Sequence, residues 1–196
     1  MLEYDQLAEW YAVNRNPVIG AAAVRRCIAG LEVGSTALDA GCGTGEPVSR
    51  LMLEHGLQVF AMDSSAAMVA AYARNFPRAP VICADITAPL PFAQTFAVIV
   101  AWGVLFHLDA AGQEQALAVL TAGLAPGGKL LFTAGREAEN RSAPMQGVML
   151  HYRHLGTTAY HRILQGQGCT VLDEFPDEAG NYYYLAQKSG LGAQTK

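Results

Sequence analysis

Two hydrophobic rhythms run along this chain, one of three to four residues and one of short unbroken apolar runs, and they alternate. Residues 18–31, VIGAAAVRRCIAGL, repeat apolar positions at three and four, which predicts a helix, and a further helix is expected ahead of it at about 3–13. TALDA (36–40) predicts the first strand, and Glu46–His55 reads as the helix that follows it, ended by Gly56. QVFAMD (58–63) predicts the second strand. In SSAAMVAAYARN (64–75) a serine cap precedes alanine-rich helical sequence, and Pro77 closes it. APVICAD (79–85) predicts a third, short strand. TFAVIVAW (95–102) is almost continuously apolar, as expected of a strand covered on both faces at the centre of a sheet. A helix over 111–123, a PGG turn at 126–128 and a fifth strand, KLLFTA, complete this part.

Strands separated by helices imply βαβ units and a parallel sheet. The remainder departs from that rhythm. A polar segment, GREAENRSAPMQGVMLHYRHLG, leads to a helix at about 157–166 and then to CTVLDEF and YYYLAQK. These two runs flank a turn near Asp177–Gly180, with no room for a crossover helix, and are expected to pair antiparallel. The expected fold is α/β and Rossmann-like, its sheet mostly parallel with a C-terminal antiparallel hairpin and helices on both faces. A single domain over 1–196 is expected. It divides into an N-terminal helical cap (1–34), a core (35–135), a segment with a helix and the terminal hairpin (136–188) and a frayed tail (189–196).

Composition narrows the function. A chain of 196 residues with 52% hydrophobic positions supports one well-filled core. The formal charge is −4 and no basic run exceeds Arg25-Arg26, which argues against a surface that tracks nucleic-acid phosphates. The start, MLEYDQLAEWYAVNRNP, resembles neither a signal nor a transit peptide, and no apolar run reaches membrane-spanning length, so a cytoplasmic protein with no membrane partner is expected. Cys27, Cys42, Cys83 and Cys169 are scattered without a CxxC pair, which favours buried free thiols over a disulfide framework or a zinc site.

The chemistry concentrates after the first strand. Gly41, Gly43 and Gly45 turn the chain sharply into a helix and leave helix N-terminal amides facing the crevice at the carboxyl ends of the strands. A dinucleotide fingerprint fails at its last position, which is Glu46, and an acid there opposes a pyrophosphate. No GK[ST] follows, so a Walker A loop fails too. The expected ligand is nucleoside-like and lacks a phosphate. Asp63, at the end of the second strand, is placed to accept both hydrogen bonds of a ribose diol. Asp85 or the neighbouring Ile86 amide is placed to address an adenine edge, and Asp39 lies beneath the turn. Three acids around one crevice suit a ligand with hydroxyls, an amine and positive charge.

LDAGCGTG resembles motif I of the class I S-adenosylmethionine-dependent methyltransferases. VFAMDSSAAMV stands in the place of motif II and ICADITAPLPF in that of motif III, while LFHL and LAPGGKLLFT match later family motifs. The resemblance is strongest over about 35–135. It departs from the family at Ala97, where many members carry aspartate. It implies S-adenosyl-L-methionine as cofactor. By the resemblance, Gly41, Cys42, Gly43 and Gly45 border the methionine part and Asp39 orients its amine. Asp63 holds the ribose hydroxyls, Ser64 and Met68 flank the adenosine, and Asp85 with Ile86 meets the adenine. Trp102 lies near the methionine part, and Tyr11 and Arg15 match a Y…R feature of an N-terminal helix that closes over the cofactor.

Each residue also has a plainer reading. Asp39 can cap the turn, and Met68, Tyr11 and Trp102 can be core. Cys42 has no activating neighbour in sequence and is not expected to be catalytic. Methyl transfer from a sulfonium needs alignment and exclusion of water, with a base only for acceptors such as a hydroxyl or carbon. His107, just past the fourth strand, is the candidate base; its alternative is a hydrogen bond to the loop backbone. Arg136, Glu137, Arg141, His151, Tyr152 and His154 are expected in an acceptor wall or lid. His151 and His154 have a helical ligand spacing but no third ligand nearby, so no metal is expected. The expected activity is methyl transfer to a small molecule. The alternatives are a cofactor-binding module without turnover, or transfer to a protein or RNA group. Oligomeric state is not fixed by the sequence.

Overall fold

Successive side chains of the central strands point to opposite faces, and both faces are apolar. On β1 (Thr36–Ala40), Ala37 faces one layer of helices while Leu38 and Ala40 face the other; on β4 (Phe96–Ala101), Val98 and Val100 take the first side and Ile99 and Ala101 the second. A strand apolar on both sides must be covered on both sides. The protein is described from a computed structural model, which covers residues 2–14, 16 and 18–190.

Seven strands form one sheet in the order β3-β2-β1-β4-β5-β9-β8, with β4 in the middle as its unbroken apolar run predicts. β2 (Gln58–Asp63), β3 (Val81–Cys83), β1, β4 and β5 (Leu124–Thr133) are mutually parallel; β9 (Tyr182–Lys188) joins β5 antiparallel, and β8 (Cys169–Pro176) pairs antiparallel with β9. The chain runs outward from β1 to β3 and then returns to β4 on the other side of β1. That reversal opens a crevice at the carboxyl ends of β1 and β4.

One face is packed by α2 (Ala21–Ile28) and α3 (Val48–Glu54), with Val24, Cys27 and Met52 on Val59, Val98 and Leu131. On the same side, α4 (Ala66–Asn75) lays Tyr72 over Ala61. The other face is packed by α5 (Ala110–Gly123) and α6 (Thr157–Gly166), through Leu117, Leu120, Tyr160 and Leu164. An N-terminal helix, α1 (Leu2–Asn14), packs on α4 and on a later strand, β7 (Val148–Leu155).

Local chemistry sets the boundaries. Gly20 (φ 82°) and Gly30 (φ 80°) confine α2 to a shorter span than its periodicity predicts. Ser65 accepts from the Met68 amide at 3.1 Å and caps α4, and Asp109 caps α5 through the Gly112 amide at 2.8 Å. β5 begins before the expected fifth strand: Phe96 pairs with Leu124 and Val98 with Lys129, so the PGG turn bulges out between two paired stretches.

Residues 136–156, a polar segment with no element expected in it, carry secondary structure of their own. They form a separate two-stranded hairpin, β6 (Ala138–Met145) and β7 (Val148–Leu155), turned at Gln146 and Gly147, both at positive φ (49° and 80°). Almost every side chain of β6 is exposed, so no buried stripe marks the strand in the sequence. Cys83, expected buried, is exposed on the short strand β3. Ser189 is held by Gly168 at 3.0 Å through its amide, so the expected frayed tail does not start there; residues 191–196 lie outside the described residues.

Gln113, fully buried on α5, joins the hairpin to the body. Its amide nitrogen donates to the carbonyls of Leu108 (3.0 Å) and Arg153 (2.9 Å), and its oxygen accepts from the Tyr160 hydroxyl (2.7 Å). Replacing Gln113 by Leu strands two carbonyls and a hydroxyl, and is expected to cost about 2–4 kcal/mol in urea-induced unfolding.

Candidate functional site

The chain leaves β1 through three glycines, each in the left-handed region: Gly41 (φ 77°), Gly43 (φ 52°) and Gly45 (φ 89°). Their surroundings separate their jobs. A Cβ on Gly41 would overlap the Val104 side chain, and one on Gly45 would overlap the Phe76 ring. A Cβ on Gly43 would meet nothing nearer than Met68 Sδ at 3.9 Å, so this glycine faces open space. Packing therefore demands the outer two, and the middle one keeps a cleft clear.

Asp63, at the end of β2, fastens the turn. One carboxylate oxygen accepts from the Gly43 amide at 2.8 Å and the other from the Ser65 amide at 2.9 Å. A carboxylate has about four acceptor positions, so each oxygen keeps room for a further donor. Burial pushes this carboxyl above the usual carboxylate range, against the opposing pull of the two amides. Asp39 is 2% exposed and accepts from Ser49 Oγ at 2.7 Å; Ser49 in turn accepts from the Tyr72 hydroxyl at 2.9 Å. Asp39 thus braces the packing beneath the turn and also lines the cleft.

The cleft encloses about 1000 Å³, part of it open to solvent. It brings together Tyr11, Asp39, Gly41, Cys42, Gly43, Asp63, Ser64, Met68, Asp85, Ile86, Trp102 and His107 from the sequence-predicted set; Gly45 sits behind it under Phe76. Arg15 lies outside the described residues. Asp39, Glu46, Asp63 and Asp85 supply four carboxylates to the lining, and no lysine or arginine is among the described lining residues.

Individual side chains settle several open readings. Met68 is 1% exposed and lines the cleft, so it is core and wall at once. Asp85 is exposed, and the amide and hydroxyl of Thr87, both at 2.8 Å from one oxygen, hold its carboxyl below the usual range. Burial, with the charges of Asp39 and Asp63, keeps the Cys42 thiol protonated, which removes it as a nucleophile. Trp102 is anchored from behind: its indole N–H donates to the Tyr183 hydroxyl (2.8 Å), which donates to Asp177 (2.8 Å) in the β8–β9 turn.

His107 lies in a 3-10 turn, Leu105–His107, between β4 and α5. Its Nδ1 is 2.9 Å from the His151 carbonyl and its Nε2 is 2.8 Å from the Tyr4 hydroxyl. The ring does bond backbone, as in the plainer reading, but on strand β7 and not in its own loop. His151 and His154 sit on β7, where a spacing of three sends side chains to opposite faces. The ring of His151 meets Ser142 and that of His154 accepts from the Gly135 amide, each at 2.8 Å. They are not a ligand pair, and among the described residues no three His, Cys, Asp or Glu side chains gather as a metal site.

Sequence reasoning missed Tyr4 and Asp5. Tyr4 lies two helical turns before Tyr11 and shares its face, a spacing that marks it once Tyr11 is singled out. Asp5 accepts from Ser65 Oγ (2.5 Å) and the Ala67 amide (3.2 Å), so α1 is tied to the start of α4. Val104 and Gly103 also line the cleft, supplied by the loop that ends β4.

The sequence profile of the family described as "Methyltransferase domain" matches residues 37–128. No curated protein sequence matches the chain. Among solved structures, the CcbJ methyltransferase of Streptomyces caelestis aligns with a TM-score of 0.77 at 13% identity, over 95% of this chain and 97% of its own. The Burkholderia thailandensis 1,6-didemethyltoxoflavin-N1-methyltransferase, bound to 1,6-didemethyltoxoflavin and S-adenosylhomocysteine, aligns at 0.74 with 20% identity, over 96% and 87%. CalS10 of Micromonospora echinaspora, an amino pentose methyltransferase, aligns at 0.73 with 16% identity, over 93% and 95%.

Gly45→Ala adds a methyl group against Phe76 at a left-handed φ and is expected to lower stability by about 2–4 kcal/mol. Gly43→Ala carries only the backbone strain, about 1 kcal/mol. Parallel urea titrations of the two variants measure the difference.

Proposed function

We propose that the chain is an S-adenosylmethionine-dependent methyltransferase that methylates a small-molecule acceptor by direct in-line displacement, a reading supported by the methyltransferase-domain match at 37–128 and by the fold shared with solved methyltransferases. The cleft lining carries this reading: four carboxylates, no described lysine or arginine, and a glycine that leaves open space beside Met68. Such a lining fits a cationic, hydroxyl-bearing ligand and opposes a pyrophosphate, which seeks cations and bare amides. When bound, the cofactor's sulfonium supplies an electrophilic methyl group.

The chain's own residues then divide the work. Asp63 accepts from the ribose hydroxyls while its two amide bonds keep it oriented. Met68 and Ile86 provide apolar walls for the adenosine beside Ser64, and Asp85 with the Ile86 amide meets the adenine edge. Asp39, braced by Ser49, attracts the methionyl amine. Trp102, fixed through Tyr183, and Tyr11 on α1 narrow the cleft and exclude water, which favours alignment of the reacting atoms. The small-molecule reading is supported by the absence of a basic surface run in the sequence and by methyltransferase neighbours whose names include a toxoflavin precursor and an amino pentose.

Isothermal calorimetry with S-adenosylmethionine, S-adenosylhomocysteine and NAD tests the cofactor assignment. Binding of the first two and none of the third is expected. Asp63→Ala is expected to weaken S-adenosylhomocysteine binding by about 1.5–3 kcal/mol, since it removes a charged acceptor and loosens the Gly43 turn. Unchanged affinity in a folded Asp63→Ala variant removes the ribose role.

A further inference from the structure

The two nitrogens of His107 have different partners, and one partner fixes the chemistry of the other. A carbonyl oxygen only accepts, so the 2.9 Å contact with the His151 carbonyl places the ring proton on Nδ1. In the neutral ring, Nε2 is then a bare acceptor, and the Tyr4 hydroxyl at 2.8 Å donates to it. Both side chains line the cleft that Asp63, Met68 and the glycine turn also line. An acceptor of hydrogen bonds and protons is thus oriented into the site through a hydroxyl.

Resting on the methyltransferase reading above, we propose that Tyr4 and His107 form the proton path for the acceptor, and that the acceptor is an O–H or N–H compound that keeps its proton until methyl transfer. A carboxylate or thiolate arrives without a proton and has no use for such a pair. In the step, the acceptor heteroatom bonds to the methyl carbon while the carbon–sulfur bond breaks and leaves its electron pair on sulfur. The acceptor's proton passes to the Tyr4 oxygen as Tyr4's own proton passes to His107 Nε2. The resulting imidazolium, steadied by the His151 carbonyl, releases a proton to solvent and restores the pair.

Tyr4 is not the sole side chain that anchors α1. Asp5 ties the same helix to Ser65 and Ala67, one residue away from Tyr4. The surroundings also keep His107 ready to accept. Burial lowers its proton affinity, the His151 carbonyl and Glu3 on α1 raise it, and His154 on β7 lowers it again, with burial the largest influence. Tyr152 and Arg153 of β7 also stand beside it: the Tyr152 ring lies 5.2 Å away, and the Arg153 guanidinium is 3.5 Å from the His107 carbonyl.

The test releases S-adenosylhomocysteine from S-adenosylmethionine with a ring-matched panel: phenols, benzyl alcohols and indoles against benzoates and aryl thiols. Wild type, Tyr4→Phe and His107→Gln are compared on the best acceptor, with cofactor affinity measured on each. Turnover is expected with the O–H or N–H members. Both variants are expected to lose about 100-fold in kcat while acceptor KM and cofactor affinity stay within about threefold. Wild-type kcat is expected to rise with pH along a limb below the ordinary imidazole range, because only the neutral ring accepts a proton, and both variants lose that limb. Preference for benzoates or thiols, no turnover of any O–H or N–H member, or a variant with wild-type kcat and limb overturns the proposal. Failure of the wild type to bind cofactor overturns the methyltransferase reading instead.

Discussion

The turn out of β1 is the constraint on which the rest depends. It passes between Val104, from the loop after β4, and Phe76, at the end of α4, with no space for a side chain at Gly41 or Gly45. Asp63 then pulls the middle of the turn toward β2 through the Gly43 amide. Three strands, β1, β2 and β4, are thereby brought to one short stretch of backbone in a conformation that L side chains rarely adopt. The cleft is what remains when packing closes the turn on both flanks and leaves Gly43 bare.

The electrostatics follow from that geometry. Carboxylates at the ends of successive parallel strands converge on one crevice because the strands themselves do. Asp39, buried, and Asp63, half-buried, are held there by Ser49 and by the amides of Gly43 and Ser65, which hydrogen-bond to them. These contacts fix the direction of each carboxylate before any ligand enters, so orientation is settled during folding.

Two elements outside the parallel core finish the cleft. α1 approaches from the N-terminus, tied by Asp5 to the start of α4 and by Tyr4 to His107. The β6–β7 hairpin approaches from the other end of the chain and offers the His151 carbonyl to the same imidazole. His107 is therefore the meeting point of segments 103 and 44 residues distant in sequence. Gln113 steadies that junction by bonding carbonyls on either side of it, at Leu108 and Arg153.

By itself, the sequence determined the parallel core. The three-to-four-residue periodicity of the helices and the short apolar runs of the strands are local signals, and the unbroken apolar run of β4 carried its central position. The glycine turn and the strand-end acids were legible for the same reason, since each is a short-range pattern with a fixed place in a βαβ unit. Arrangements that rest on contacts between distant segments were decided only by the tertiary structure. The hairpin at 138–155 escaped because the exposed strand β6 has no buried stripe, and its turn, Gln146-Gly147, is a weaker signal than Asn-Gly. The partners of Asp39, Trp102 and His107 also escaped, because a hydrogen bond between segments leaves no periodicity in either one. Sequence named most of the groups in the cleft, and long-range packing set the hydrogen bonds that orient them.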